Sequence, residues 1–151
     1  MRSEKVRRLV SAGVVGSLLF VLVACGTKKV AVTLPTPDAT TTQLCHQLVD
    51  SLPTTVASQS RREISDNQRL TAAWGEPPLT LRCGVGRPTG FTPESSLIAI
   101  NGIDWFAEQL SAGYRFTTTN TNMYIEVVVP HTYSPEANAL TDLSSAISLF
   151  K

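Results

Sequence analysis

Apolar and polar positions along the 151 residues change period several times, and each change marks an element. In TTQLCHQLVDSLP, Cys45, Leu48, Val49 and Leu52 fall at i, i+3, i+4 and i+7. That spacing predicts a helix with one apolar stripe. Thr41 or Thr42 is its expected cap, and Pro53 its stop. Cys45 lies on the stripe; His46, Gln47 and Asp50 lie off it. LTLRCGV changes to period two: Leu79, Leu81, Cys83 and Val85 point one way, Thr80 and Arg82 the other. LIAINGIDWFAEQL places Asn-Gly between two apolar runs, the strongest short-range signal of a hairpin with a type I′ turn. Its strands are Leu97–Ile100 and Ile103–Leu110. A third strand follows at 114–119, with Tyr114 and Phe116 on one side. A fourth at 123–129 has Met123, Ile125, Val127 and Val129 on one side. SPEANALTDLSSAISLF closes the chain as a helix. Ser134 is placed as cap, Pro135 at the first turn and Glu136 at the positive end of the dipole. Leu140, Leu143, Ile147 and Phe150 form its stripe. Residues 53–74 carry no clear period, and one or two edge strands fit there. The expected fold is α+β: an antiparallel meander of about five strands, with an N-terminal and a C-terminal helix on one face.

The first 24 residues have a different pattern. Arg2, Lys5, Arg7 and Arg8 stand against Glu4, and an apolar run extends from Leu9 to Ala24, diluted by Ser11, Gly13, Gly16 and Ser17. The run is shorter than the ~20 residues of a spanning helix. A basic front, a short apolar middle and small residues at the end make a secretory signal. The run ends Leu22-Val23-Ala24-Cys25, which looks like a bacterial lipobox. That resemblance implies a diacylglyceryl group on the Cys25 thiol and cleavage just before it. An ordinary signal peptide, or an uncleaved anchor with an incidental cysteine, is the plainer alternative. The expected organisation is a signal peptide over 1–24, a lipidated Cys25 with a tether over 25–42, and one domain over 43–151. Residues 26–42, GTKKVAVTLPTPDATTT, are rich in Thr and Pro and read as a flexible tether of roughly 20 Å r.m.s. span; an edge strand at KVAVTL is the alternative. The expected address is the extracytoplasmic face of the cell membrane.

Cleavage changes the charge. The whole chain has 13 Lys+Arg and 12 Asp+Glu, net +1. Residues 1–24 take four bases and one acid, so nine bases and eleven acids remain, net −2. No basic footprint for nucleic acid is left. Of the three cysteines, Cys25 is assigned to lipid. In an exported chain the remaining pair, Cys45 and Cys83, reads as a disulfide. A free redox thiol or a metal site is the alternative, although the spacing matches neither C-x-x-C nor a Cys/His zinc pattern.

Several blocks together, LCHQLVDSLP, SRRE, AAWGEPPLTLRCGV, INGIDW, YRFTTT and IEVVVP, resemble an actinobacterial lipoprotein family catalogued as a domain of unknown function, number 3515. The resemblance covers residue 43 to about 148, and the block around Trp74 and Cys83 is its most specific part. It implies both cysteines, which suits their pairing, and it supports an envelope address. It implies no activity. One departure is Asn120-Thr121-Asn122, where an Arg or Gly turn is expected.

Candidate chemistry is sparse. The sequence has no G-x-S-x-G, no H-E-x-x-H and no Gly-rich phosphate loop. His46 and His131 lack the converging partners of a metal site, and no cofactor is expected. Trp74, Arg82, Asp104 and Trp105 are large or charged groups near turns and strand ends, of types common in binding hot spots. They form the candidate binding surface, on the sheet face opposite the first helix. The competing reading is that the tryptophans are core and Arg82 pairs structurally with Asp104 or Glu126. The expected function is a non-catalytic binding or accessory lipoprotein with an envelope partner or ligand. A small envelope enzyme using His131 with an acidic neighbour, and a purely structural surface protein, are the alternatives.

Overall fold

The computed structural model describes residues 28–65 and 68–151. The signal-like run over 1–24 and Cys25 lie outside the described residues.

The first helix, α1, spans Ala39–Ser51. It starts earlier than Thr41 because Asp38 caps it, its carboxylate accepting the Thr41 N–H at 2.9 Å. It ends as expected, with Leu52 extended (ψ 142°) before Pro53. A short ribbon follows, β1 (Thr55–Val56) and β2 (Gln59–Ser60). Next come β3 (Thr71–Trp74) and β4 (Leu79–Cys83), then β5 (Leu97–Ile100), β6 (Ile103–Leu110), β7 (Gly113–Thr118) and β8 (Ile125–Pro130). The second helix, α2, spans Ala137–Ile147. Ser134 does not cap α2. Its hydroxyl donates to the Glu136 carboxylate instead, and a single 3-10 turn, His131–Tyr133, precedes it.

The main sheet has six antiparallel strands in the order β3-β4-β8-β7-β6-β5. The expected five strands are all present, and the sixth is β3, at the sheet edge and within residues 53–74, where one or two edge strands are expected. All four of its residues are buried, so Thr71-Ala72-Ala73-Trp74 shows no alternation to read. The order is also not a simple meander. From β4 the chain crosses by residues 84–96 to the far edge, then returns strand by strand until β8 inserts beside β4. At the β5–β6 turn, Asn101 and Gly102 both have positive φ, 49° and 79°, as a type I′ turn requires.

The register fixes two faces. Cys83 lies opposite Ile125, Leu81 opposite Val127, Phe116 opposite Val127, Ala107 opposite Phe116, and Trp105 opposite Thr118. These residues share one face, the inner one, where α1 is bonded to the sheet through the Cys45–Cys83 disulfide. On α2, Leu140 lines a small cavity together with Ala107, Tyr114 and Phe116 of that same face. Leu48, Leu140, Leu143 and Ile147 are fully buried, each worth about 2 kcal/mol of transfer free energy.

The outer face is covered in part by the chain's own segments. Residues 28–38 do not hang loose as a tether would. Val30 is bonded on both sides, its N–H donating to the Glu63 carbonyl at 2.9 Å and its carbonyl accepting from Ser65 at 3.0 Å. Val30 pairs as an isolated bridge to Ile64, so the stretch is neither a free tether nor the edge strand at KVAVTL given as the alternative. Farther along the strap, Pro37 packs on Gly84, where φ is +81° and a Cβ would meet the proline ring at 2.8 Å. From the crossover, Phe91 sits on Phe106 with ring centroids 5.4 Å apart.

Candidate functional site

The outer face has few charges, and they are ordered. Alternation in β4 points Arg82 away from Cys83. The register sets Arg82 opposite Glu126 on β8. The guanidinium grips that carboxylate at two points, Nε to Oε1 at 2.9 Å and Nη2 to Oε2 at 3.2 Å. Arg115 on β7 reaches the same carboxylate at 3.4 Å, and Glu108 on β6 lies 3.7 Å from Arg115. A row of alternating sign therefore crosses four strands and sums to zero. Glu126 is 11% exposed and Arg82 25%, so both are held in a medium where pairing matters more than at an open surface. Arg82 Nη1 donates to the Thr33 carbonyl at 3.2 Å, tying the strap over residues 28–38 to the sheet.

Beside Arg82 opens a cleft of ≈ 700 Å³, within the range typical of small-molecule sites. One wall is the strap from Leu34 to Asp38. Gly84 and Gly86 form a second wall, and Thr119, Thr121, Asn122 and Tyr124 a third. Its lining combines one guanidinium, one carboxylate, a phenol, an amide, several hydroxyls and backbone with the apolar side chains of Leu34, Pro35, Pro37, Val85 and Met123. Such a lining can orient a polar ligand by hydrogen bonds. Arg82 enters it with its charge already balanced by Glu126, as a fixed donor rather than a loose cation.

The four residues proposed as one surface do not sit together. Trp74 and Trp105 are fully buried on the inner face. Trp74 Nε1 donates to the Pro53 carbonyl at 3.0 Å, while Trp105 Nε1 has no partner. Both tryptophans are therefore core, as the competing reading held. Asp104 is on the outer face but is tied to the turn after β7: its Oδ2 and its N–H both bond the Asn120 side chain, at 3.0 Å each. Arg82 alone of the four lines the cleft, and its partner is Glu126 rather than Asp104. The sequence reading passed over Tyr124, Thr119, Asn122 and the strap residues. Glu126, one of the two structural partners expected for Arg82, is the lone acid in IEVVVP, just as Arg82 is the lone charge in LTLRCGV.

The histidines lie elsewhere. His46 Nε2 is 2.9 Å from the Gln68 carbonyl. His131 Nδ1 is 3.2 Å from Glu136 Oε1, and Ser134 Oγ donates to that same oxygen at 2.9 Å. The serine is thus bonded to the carboxylate and not to the imidazole, which is not the order a nucleophile and its base require. Glu136 is held below the usual carboxylate value by its own backbone N–H, with help from His131 and Ser134. Among the described residues no three His, Cys, Asp or Glu side chains converge as a metal site needs. No described helix is long and apolar enough to cross a membrane.

Comparison with known proteins places the chain. It belongs to the family described as protein of unknown function (DUF3515), whose model matches residues 9–149. No curated protein and no solved structure matches it.

Proposed function

We propose that this member of the DUF3515 family is a lipid-anchored lipoprotein of an actinobacterial cell envelope, processed after Ala24, acylated on Cys25 and carried on the extracytoplasmic face of the membrane. Its domain acts as a non-catalytic binding or accessory module. The observation that carries the binding role is the polar cleft beside Arg82: it has the size of a ligand site, its walls come from three separate parts of the chain, and its one cation is pre-oriented by Glu126. The basic front, the short apolar run and the lipobox support the anchor. The two buried tryptophans have no part in the site.

The experiment is cross-linking on intact cells, followed by purification of the anchored protein and mass spectrometry of what comes with it, using wild type, Tyr124→Ala and Asn122→Ala. A near-stoichiometric envelope partner, or a bound small polar molecule, that is lost in the two variants while the domain stays folded supports the module. Unchanged recovery in both variants removes the cleft from consideration. Mass analysis of the mature N-terminus tests the anchor separately: an unmodified N-terminus in the membrane fraction overturns it.

The enzyme alternative has one observation behind it, the His131–Glu136 pair. His131 is half exposed and does not line the cleft. A hydrolytic activity on envelope substrates that vanishes in His131→Ala would move the function there.

A further inference from the structure

The strap's point of departure from the domain fixes more than its path. Arg62 Nη2 donates to the Lys28 carbonyl at 2.9 Å. Val30 is buried and bonded to Glu63 and Ser65. The stretch it joins runs along β3: Arg62 N–H donates to the Ala73 carbonyl, and Arg61 bridges Trp74. The chain is therefore held at the β3 edge of the sheet from Lys28 onward. Between Cys25 and Lys28 there are only three residue steps, which span at most about 11 Å when fully extended. A tether of seventeen loose residues would leave the domain free to turn. Three steps do not.

We propose that the β3 edge, with Lys28–Val30 laid along it, rests on anionic lipid headgroups, and that the sheet stands away from the bilayer with β5 at its far edge. The inference rests on the lipid anchor at Cys25. Five strand spacings separate β3 from β5, about 24 Å at the usual inter-strand distance. Lys28 and Lys29 are exposed at the near edge. They lie within about one Debye length of the anchored residue, where an anionic surface attracts them. Of the acids beside them, Glu76 is engaged with Arg62, and Glu63 lies 3.8 Å from Lys29 and offsets part of its charge. The far edge has the opposite character. Leu97 and Ile98 are 41% and 45% exposed on an edge strand, paired on one side only, with no charge on it. In this orientation that apolar edge is kept from the membrane and shown to the space beyond it.

The test uses the full, acylated chain in vesicles of phosphatidylcholine and phosphatidylglycerol, with a nitroxide on a fraction of the headgroups. Ser65→Cys and Leu97→Cys each receive a fluorophore. Cys25 is blocked by its thioether, and Cys45 and Cys83 by their disulfide, so only the new thiol reacts. Glu63→Cys replaces Ser65→Cys should that variant fail to fold. The expected result is quenching several-fold stronger at position 65 than at 97. Equal or reversed quenching in protein that floats with the vesicles overturns the orientation and leaves the anchor standing. Protein that does not float, with Cys25 unmodified by mass, overturns the anchor and the orientation together.

Discussion

Glu126 is shared by two arginines that do not touch each other's partners elsewhere: Arg82 holds it from β4 at 2.9 Å and Arg115 from β7 at 3.4 Å. One carboxylate on β8 therefore bridges cations on the two strands that flank it, and Glu108 completes the balance. Glu126→Ala leaves Arg82 without its carboxylate and Arg115 with Glu108 alone, in a half-dry site, and should cost about 3 kcal/mol. Arg82→Ala leaves Glu126 still paired with Arg115 and should cost only about 1 kcal/mol. Urea unfolding of the two variants checks the order. Equal losses would show that Arg115 does not share the carboxylate.

The Cys45–Cys83 disulfide closes 38 residues, which on the chain-entropy account stabilises the fold by about 4 kcal/mol. A Cys45→Ala/Cys83→Ala double variant should unfold at a clearly lower urea midpoint than wild type. Wild type in reductant should approach the same midpoint.

The β1–β2 turn places Ala57 and Ser58 at φ 48° and 61°, a left-handed conformation that costs a non-glycine residue about 1 kcal/mol. The Asp142 carboxylate on α2 accepts the Ala57 N–H at 2.8 Å and helps hold the turn there. Ala57→Gly should raise stability by about 1 kcal/mol, and Asp142→Ala should lower it by about 1 kcal/mol. Thermal melts of the two variants should move in opposite directions.

Two carboxyls sit below their ordinary values. Asp38 lies below 3.8, chiefly because the Thr41 N–H donates to it. Glu136 lies below 4.5, chiefly through its own backbone N–H. A depressed carboxyl binds its proton less tightly in the folded chain than in the unfolded one. Its contribution is therefore complete above the unfolded value and is lost as pH falls through the folded one. Stability should hold from neutrality to the mid-fours and then decline. Asp38→Asn keeps a cap but loses this titration, so its urea midpoint should fall less steeply below pH 4 than that of wild type.

Much of the fold was legible because periods and turn chemistry agreed. The Asn101-Gly102 hairpin, the stripe of α2 and the apolar faces that carry Cys45 and Cys83 follow from spacing, while the pairing of the two cysteines follows from the exported context. The unread parts have physical reasons. β3 is buried on both faces, so its polarity does not alternate. The β1–β2 turn has the geometry that usually selects glycine or asparagine but uses Ala57-Ser58. Asp38 was absorbed into a Thr/Pro-rich stretch that looked structureless, although it caps α1 and its neighbours line the cleft. Trp105 could have been placed in the core, since it shares strand parity with Ile103 and not with Asp104. Trp74 could not, because its strand's register depends on a partner that the local sequence does not name.

The insertion of β8 between β4 and β7 bears on how the chain acquires its shape. Without β8 the sheet is two unconnected pieces, the β3–β4 hairpin and the β5–β7 meander, each with a bare edge. The β4–β8 ladder that closes the gap sets Arg82 opposite Glu126, 44 residues further on, so it is the late, long-range step of folding. A chain emerging from its N-terminus has both halves waiting on its last strand. Truncation anywhere before Ile125 should therefore yield no smaller folded sheet, only open edges prone to pairing with other chains.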